Sequence, residues 1–239
     1  MQQNNLIMKH QAIKELPYGV SNFVTIVEEN IYYVDKTMYI PMLENEARNL
    51  FFIRPRRFGK SLFLGMLHAY YDCRTKDKFE QWFGKLWIGQ HPTPNQGRYQ
   101  VLHLDFSQVG GKIEKLEEKF NEYCCIALND FMFLYDTYYP ESCKKEFYDS
   151  NDAGAKLSII SRKAQTLGYS LYLIIDEYDN FTNTVLNEQG EDVYWSINHA
   201  ESFYCDIFKK FKGSFDRIFI TGVSPVTLDD VTSGFNIGW

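Results

Sequence analysis

The chain has 239 residues, of which 45% are hydrophobic and 17% aromatic, and its formal net charge at pH 7 is −6. This length is sufficient for one large domain with a packed core, and the composition is that of a globular chain rather than a disordered one. The negative net charge argues against a protein that coats nucleic acid, although it leaves room for a local basic site.

The sequence carries no sign of secretion or membrane insertion. Its first residues lack the continuous apolar core of a signal peptide, and no apolar stretch approaches the roughly 18 residues of a membrane-spanning helix. The five cysteines form no Cys-x-x-Cys pair and have no zinc-like spacing with histidine, so we interpret them as buried small hydrophobes. The expected location is the reducing cytosol, and no membrane partner is expected.

Four short apolar runs, each bounded by polar or turn residues, are predicted to be strands. They are Asn49–Pro55, Gln100–Ser107, Tyr172–Asp179 and Arg217–Pro225. Three of them have nearly unbroken apolar centres, which is typical of parallel strands that are covered on both faces.

Helical patterns separate these runs. Lys60–Cys73 follows the first strand, and the longer pattern Lys112–Tyr139, with apolar residues three and four apart, follows the second. Gly154–Gly168 precedes the third strand, and Val193–Phe211 precedes the fourth. This alternation predicts an α/β fold, a three-layer sandwich with a mostly parallel sheet and right-handed crossovers. The long block at 110–169 is predicted to be a helical insertion between the second and third core strands.

The stretch that ends in Gly59, Lys60 and Ser61 resembles a phosphate-binding loop between a strand and a helix. The loop pattern is Gly, any four residues, Gly, Lys, and Ser or Thr, and these three residues satisfy its second half. Backbone N–H groups at such a helix start, together with the helix dipole, favour a phosphate, and Gly59 lets the backbone approach it. We therefore predict that Lys60 contacts the β- and γ-phosphates and that Ser61 places its hydroxyl on Mg²⁺.

Arg54 stands where this pattern has its first glycine. Because Arg54 precedes Pro55, it is biased towards an extended conformation, and Pro55 has a fixed φ, so the chain can leave the strand without a glycine turn. Arg56 and Arg57 are predicted to contact phosphate or, alternatively, to face solvent or an acidic neighbour. The competing interpretation of the whole stretch is a chance Gly-Lys-Ser tripeptide at a helix start.

The third predicted strand ends in two carboxylates, Asp176 and Glu177. In P-loop ATPases an Asp at this place holds Mg²⁺ and a following Glu polarises the attacking water, so we assign these two roles to Asp176 and Glu177. The alternative is a carboxylate pair that caps the next helix. Asp179 is interpreted as a helix cap in preference to a metal ligand or base.

The fourth predicted strand ends near Thr221 and Ser224. In ATPases that have an additional strand between the loop strand and the acidic strand, a polar residue here senses the γ-phosphate or the attacking water. Thr221 is the first candidate and Ser224 the second, and the alternative is a simple turn. His68 and His103 are interpreted as core histidines, and the lack of an Asn-Lys-x-Asp motif disfavours a GTPase.

Five stretches, taken together and in order, resemble the bacterial AAA-ATPase-like family: Leu16–Phe23, Tyr32–Thr37, Arg54–Ser61, Leu173–Asn180 and Ile220–Gly238. The resemblance covers nearly the whole chain, and it implies the additional-strand type of P-loop NTPase fold with ATP and Mg²⁺ as ligands. It also implies that an arginine at position 54 is a feature of the family. The implied nucleotide-binding residues are Asp35, Arg56, Arg57, Phe58, Gly59, Lys60, Ser61 and Leu62.

The Val-Asp-Lys-Thr stretch Val34–Thr37 has two open interpretations: it lies near the base or the phosphates, or Asp35 caps the following helix. Residues 1–48 are expected to be the N-terminal motif region of a single AAA-ATPase-like domain over 1–239. Many family members carry a C-terminal restriction-endonuclease-like nuclease domain. The resemblance therefore implies that this chain is the ATPase part only, and it makes nucleic acid a partner by analogy alone.

Three functional hypotheses follow. The first is a Mg²⁺-dependent domain that binds and hydrolyses ATP, with Lys60, Thr221 and Glu177 in catalysis and Ser61 and Asp176 as metal ligands. The second is a regulatory module that binds nucleotide with negligible turnover and controls a partner or fused nuclease domain. The third is a small-molecule phosphotransferase, for which the sequence offers no recognisable acceptor pocket or lid arginines.

Overall fold

The computed structural model describes residues 14–109, 115–180 and 203–223. Within them the chain forms a sheet of four parallel strands in the order β1-β4-β3-β2. The strands are β1 Asn49–Ile53, β2 Tyr99–Asp105, β3 Ser170–Asp176 and β4 Arg217–Gly222. The predicted α/β class and the parallel sheet are confirmed, and β4 lies between β1, which precedes the loop, and β3, which ends in the acidic pair.

The register brings the carboxyl ends of the four strands to one end of the sheet. Ile53 pairs with Gly222, and Asp105 pairs with Asp176. Ligands of open parallel sheets bind beyond the carboxyl ends of the strands. The loop after β1 and the acidic residues after β3 therefore share the end of the sheet where a ligand is expected.

Helices cover both faces of the sheet. Their ranges are α1 Phe23–Glu28, α2 Ile40–Asn45, α3 Lys60–Tyr71, α4 Phe79–Phe83, α5 Trp87–Gln90, α6 Leu116–Leu134, α7 Glu141–Tyr148, α8 Ala153–Leu167 and α9 Phe203–Ser214. Because side chains alternate along a strand, Ile174 and Phe219 pack with α3 on one face, while Ile175 and Ile220 pack with α6, α8 and α9 on the other. None of the helices within the described ranges is long and apolar enough to cross a membrane.

The observed strands end earlier than the apolar runs predicted. Beyond β2, the Asp105 carboxylate accepts the Ser107 N–H at 3.0 Å and starts a 3₁₀ turn at Phe106–Gln108. Beyond β3, Glu177 has a φ of +51°, which takes the chain out of the extended conformation. Apolar character continues past both points, so composition alone overestimates the strand lengths. The candidate Ser224 lies outside the described residues.

Within the described residues, the block between β2 and β3 contains the helices α6, α7 and α8. α6 stops at Leu134 because a 3₁₀ turn at Asp136–Tyr138 and then Pro140 follow it. α8 is capped at its start by Asp152, which accepts the Ala155 N–H at 2.7 Å, and it ends before Gly168. The part of the predicted fourth helix before residue 203 lies outside the described residues, and the subdivision into 1–48 and 110–169 stays a prediction.

Two tyrosines, Tyr123 of α6 and Tyr135 directly after it, cover the outer edge of β2. The Tyr135 hydroxyl accepts the Val101 N–H, and the Tyr123 hydroxyl accepts the Asp105 N–H, both at 2.7 Å. N–H groups of an edge strand would otherwise be open to another chain. The two hydroxyls therefore satisfy the edge of the sheet from within the domain.

Asp72 follows α3 and is a nearly buried carboxylate, 1% exposed. It accepts hydrogen bonds from the Arg74 guanidinium at 2.6 Å and from the Tyr135 hydroxyl at 3.0 Å, and His68 Nε2 lies 3.3 Å away. Burial alone would raise the pKa of Asp72, but the hydrogen bonds from His68 and Arg74 outweigh it and lower the pKa to about 2. This carboxylate therefore joins α3 to α6 in its charged form.

Replacing Asp72 with asparagine is expected to lower the free energy of unfolding at neutral pH by about 2–3 kcal/mol, because charged hydrogen bonds to Arg74 are lost. Since the folded pKa lies below the ordinary value of 3.8, the stabilisation is fully present above that value and is lost as pH falls towards 2. Urea denaturation at neutral pH and at about pH 3 should show the difference between protein and variant narrowing in acid. Asp77→Asn, at an exposed carboxylate of the next turn, is the control, and equal effects of the two substitutions would contradict this role.

Candidate functional site

The loop of residues 54–59 connects β1 to α3 at the carboxyl end of the sheet. Arg57 and Gly59 have φ angles of +67° and +75°, and this left-handed conformation is free for glycine but costs about 1 kcal/mol or more for arginine. Gly59 is the N-cap of α3, and no side chain caps the first turn. The N–H groups at the start of α3 are therefore not taken by a capping side chain at the place where an anion would bind.

Arg54 continues the strand instead of opening the loop. Its N–H donates to the Gly222 carbonyl at 3.1 Å, which extends the pairing of β1 with β4. Its guanidinium lies over the Phe52 ring, 4.8 Å from the centroid, and donates to the Ile53 carbonyl at 2.8 Å. The side chain at position 54 thus folds back along β1, which explains how the loop forms without a first glycine.

Lys60 is buried under this loop, with 6% of its surface exposed. Its Nζ donates to the carbonyl of Arg54 at 3.1 Å and to that of Pro55 at 3.2 Å. The lysine therefore ties the first residue of α3 to the first residues of the loop, with its ammonium on the inner side.

Asp176 gathers three predicted site residues around one carboxylate. Oδ2 accepts the Ser61 hydroxyl at 2.6 Å, and Oδ1 accepts the Thr221 hydroxyl at 2.5 Å and the Glu177 N–H at 3.0 Å. Asp176 and Thr221 are buried, whereas Ser61 is exposed. The ends of β3 and β4 and the start of α3 are thereby held together by side chains whose oxygen atoms suit a hard cation.

Glu177 follows Asp176 in a strained left-handed conformation, with a φ of +51°. It is half-buried, and this burial raises the pKa of its carboxyl, as do the nearby charges of Asp176 and Asp105. Lys60 and Arg56 lower the pKa in turn, so the loop's positive charges act on this carboxyl. A carboxyl with a raised pKa beside a loop of this kind is a candidate for proton transfer.

The segment after Glu177 is hydrogen-bonded to the end of β4. The Asp179 carboxylate accepts the Val223 N–H at 3.0 Å, and the Tyr178 N–H donates to the Thr221 carbonyl at 3.0 Å. The helix that Asp179 was expected to cap lies outside the described residues. In the described part, Asp179 holds the acidic segment against the strand that carries Thr221.

Gly222 is packed so closely that it has no room for a side chain. A Cβ there would collide with the Tyr178 ring and would lie 2.7 Å from Asp179 Oδ1. We expect Gly222→Ala to destabilise the fold by about 1–3 kcal/mol, measured by chemical denaturation, because the acidic segment must move. Gly213→Ala is the matched control, since nothing lies within 4 Å of a Cβ there and alanine favours its helix. An undisturbed Gly222→Ala variant would show that the segment is not held as described.

Asp35 uses both carboxylate oxygens within the protein. Oδ1 accepts the N–H and the hydroxyl of Thr37 at 2.8 and 2.7 Å, and Oδ2 accepts the Trp87 N–H at 2.7 Å. Asp35 thus caps both the 3₁₀ turn at Thr37–Tyr39 and the start of α5. This geometry agrees with the capping interpretation and gives Asp35 a positioning role. The next residue, Lys36, extends to the loop, and its Nζ lies 3.8 Å from where a Cβ on Gly59 would be.

The remaining predicted loop residues differ in exposure. Arg56, Arg57 and Phe58 are exposed, Phe58 to 62%, whereas Leu62 is half-buried in the first turn of α3. The three consecutive exposed side chains form the outer surface of the loop. They are available to a ligand or to another protein.

A cleft of about 890 Å³ lies between α3, β2 and α6, with Ser61 and Asp176 at one end. His68 and His103 line it, with ring centroids 5.8 Å apart. The interpretation of these residues as core histidines is wrong: His103 is exposed and His68 is half-buried. The physical reason is that β2 is the edge strand, so the face that carries His103 is only partly covered by α3.

Two site residues were missed by the sequence interpretation, Lys36 and Asp105. Asp105 ends β2 and pairs in register with Asp176, so a carboxylate at the end of a second strand was the available signal. Lys36 carried no local signal beyond its neighbours in the Val34–Thr37 stretch. Among the described residues no group of three or more His, Cys, Asp or Glu is placed to hold a metal.

Comparison with known proteins places this chain in a family. The family model described as Predicted AAA-ATPase matches residues 17–232. An uncharacterized protein in the vnfD 5′ region of Azotobacter chroococcum mcd 1 is 49% identical over an alignment of 109 residues. The match covers 43% of this chain and 20% of that protein, so the chain spans about a fifth of the relative's length. No solved structure matches the chain. The match over most of its length means that the chain belongs to the predicted AAA-ATPase family, membership of which indicates nucleotide binding.

Proposed function

We propose that this protein is a Mg²⁺-dependent ATP-binding domain that hydrolyses ATP. The observation that carries the proposal is the convergence of Ser61, Thr221 and Glu177 on Asp176, beside a loop that buries Lys60. These residues come from three separate stretches of the chain, and each has the chemistry that phosphoryl transfer requires.

The loop and α3 bind the phosphates in this proposal. When the ligand binds, Lys60 replaces its hydrogen bonds to the carbonyls of Arg54 and Pro55 with hydrogen bonds to phosphate oxygens. The uncapped N–H groups at the start of α3 and the helix dipole also favour the negative charge of the phosphates. Arg56 adds positive potential at the outer side of the loop, and its charge acts on Glu177, where it lowers the pKa. Such groups stabilise the charge of the transferred phosphoryl because they are positioned before the reaction begins.

The metal and the water are assigned to the acidic end of β3. The Ser61 hydroxyl and the Asp176 carboxylate, 2.6 Å apart, are the oxygen ligands that Mg²⁺ prefers and would hold it. When bound, Mg²⁺ neutralises charge on the phosphate oxygens. Thr221 orients Asp176 through its hydroxyl, and Glu177 orients the attacking water and accepts its proton.

Calorimetric titration of the protein with ATP in Mg²⁺, followed by a phosphate-release assay, tests the proposal. Binding with turnover is the expected result, and the absence of binding would overturn it. The second candidate function is a regulatory module that binds nucleotide with negligible turnover and controls a partner or fused nuclease domain. The exposed run Arg56, Arg57 and Phe58 supports it as a docking surface, and binding without phosphate release would favour it.

A further inference from the structure

A second lysine lies beside the phosphate-binding loop. Lys36 Nζ is 3.8 Å from the position of a Cβ on Gly59, the residue that precedes α3. Lys36 is half-buried, and its ammonium makes no hydrogen bond or ion pair within the described ranges. A partly buried cation with no such partner, next to a helix start that favours anions, has the charge to bind one.

The backbone around Lys36 is fixed by its neighbours on both sides. Asp35 accepts hydrogen bonds from Thr37 and Trp87, which anchors the segment to α5. Tyr33 packs edge-on against Phe23 of α1, with ring centroids 5.4 Å apart, and α1 in turn packs on α3. The backbone that carries Lys36 is therefore held beside the loop at two points, which limits where its side chain can reach.

An apolar pocket of about 180 Å³ lies between this segment and the first turn of α3. Its walls include Pro17, Tyr32, Val34, Leu62 and Phe63, and Lys36 is the charged residue of the lining. Tyr32 and Val34 are 50% and 60% exposed, so apolar surface remains uncovered beside the pocket. The flat face of an aromatic base, joined through its sugar to a phosphate chain as in a nucleotide, would bury that surface.

We propose that Lys36 is a second phosphate-binding lysine of this site and that the pocket beside it receives the nucleoside of the same ligand. This inference rests on the proposed function and names a further contact that nucleotide makes. Lys60 binds the phosphates from within α3, and Lys36 binds them from the preceding segment, across Gly59. Asp35 is a positioning residue, because it acts through the backbone of Lys36.

The test is calorimetric titration with Mg²⁺·ATP and with Mg²⁺·tripolyphosphate, which has the phosphates but no nucleoside. Lys36→Met should weaken binding of both ligands by the same factor, about 10-fold, because a charged hydrogen bond to phosphate is lost. Lys36→Arg should retain affinity within about threefold. The unaltered protein should bind ATP at least about 10-fold more tightly than tripolyphosphate, because only ATP fills the apolar pocket.

Lys85→Met removes an exposed lysine from the same region and is the control for a general loss of charge. Unchanged binding in Lys36→Met, or a loss no larger than that of Lys85→Met, would overturn the role of Lys36 while leaving the proposed function intact. A loss confined to ATP would also overturn it, because Lys36 would then contact the nucleoside. Failure of the unaltered protein to bind Mg²⁺·ATP would overturn both proposals, and thermal unfolding of each variant separates lost contacts from lost folding.

Discussion

Replacement of Lys60 with alanine is expected to abolish detectable binding of Mg²⁺·ATP, a loss of affinity of about 100-fold or more. Lys60 is 6% exposed and its ammonium already makes two hydrogen bonds to loop carbonyls, so it is held where phosphate oxygens would take their place. Charged hydrogen bonds are worth about 1.5–3 kcal/mol each, and every 1.4 kcal/mol is about tenfold in affinity. Calorimetric titration of the protein and the variant measures the difference directly.

The same substitution removes the bonds to Arg54 and Pro55, so folding has to be measured beside binding. Thermal unfolding of Lys60→Ala should remain cooperative, because the loop lies outside the two buried clusters of the sheet. Lys60→Arg keeps the charge but changes its geometry, and it should recover little of the affinity. Lys145→Ala, at an exposed position on α7, controls for charge, and full binding by a folded Lys60→Ala would contradict the assignment.

The parts of this site that the sequence predicted are those encoded by short-range patterns. An apolar run that ends in Asp176 and Glu177 specifies a buried strand and its polar end, and Gly59, Lys60 and Ser61 specify a helix start without a capping side chain. Because carboxyl ends of parallel strands meet at one end of the sheet, the prediction of parallel strands was enough to place Thr221 at the same end as Asp176. The hydrogen bonds from Ser61 and Thr221 to that carboxylate agree with this expectation.

The parts that the sequence could not predict depend on contacts between distant segments. Lys36 approaches Gly59 only because α1, α3 and α5 pack around the segment that carries it, and no periodicity records that packing. His103 sits in an apolar run, yet the cleft beside edge strand β2 leaves it exposed. Strand order, which decides exposure here, is a property of the assembled sheet rather than of any one run.

The cleft also bears on the phosphotransferase hypothesis, which requires a pocket for an acceptor. No acceptor pocket could be identified in the sequence, but the structure has a cleft of about 890 Å³ that reaches Ser61 and Asp176. Its lining carries the carboxylates Asp105 and Asp130, so a second phosphorylated ligand would meet negative charge there. Water and other uncharged acceptors avoid this repulsion, and hydrolysis, which needs no acceptor pocket, remains the preferred proposal.

Glu177→Gln is expected to keep Mg²⁺·ATP affinity within about threefold and to reduce kcat by at least about 100-fold. Glutamine has the size of glutamate and can keep the same backbone conformation, but it cannot accept a proton from water, a role that contributes about 10²–10⁴-fold to catalysis. The phosphate-binding groups, Lys60 and the start of α3, are left as they are. Single-turnover phosphate release, measured at saturating ATP, separates the chemical step from binding and product release.

Asp105 is the other carboxylate that could act as the base, and its substitution provides the matched variant. It pairs in register with Asp176 and raises the pKa of Glu177, so it lies close enough for its charge to act there. Its two oxygens, however, already accept hydrogen bonds from the Ser107 N–H at 3.0 Å and the Gln108 side-chain amide at 3.2 Å, so both are engaged within the protein. Asp105→Asn should therefore retain most of the turnover that Glu177→Gln loses. The opposite pattern would transfer the water-activating role to the end of β2, and normal hydrolysis by both variants would contradict a carboxylate base at this site.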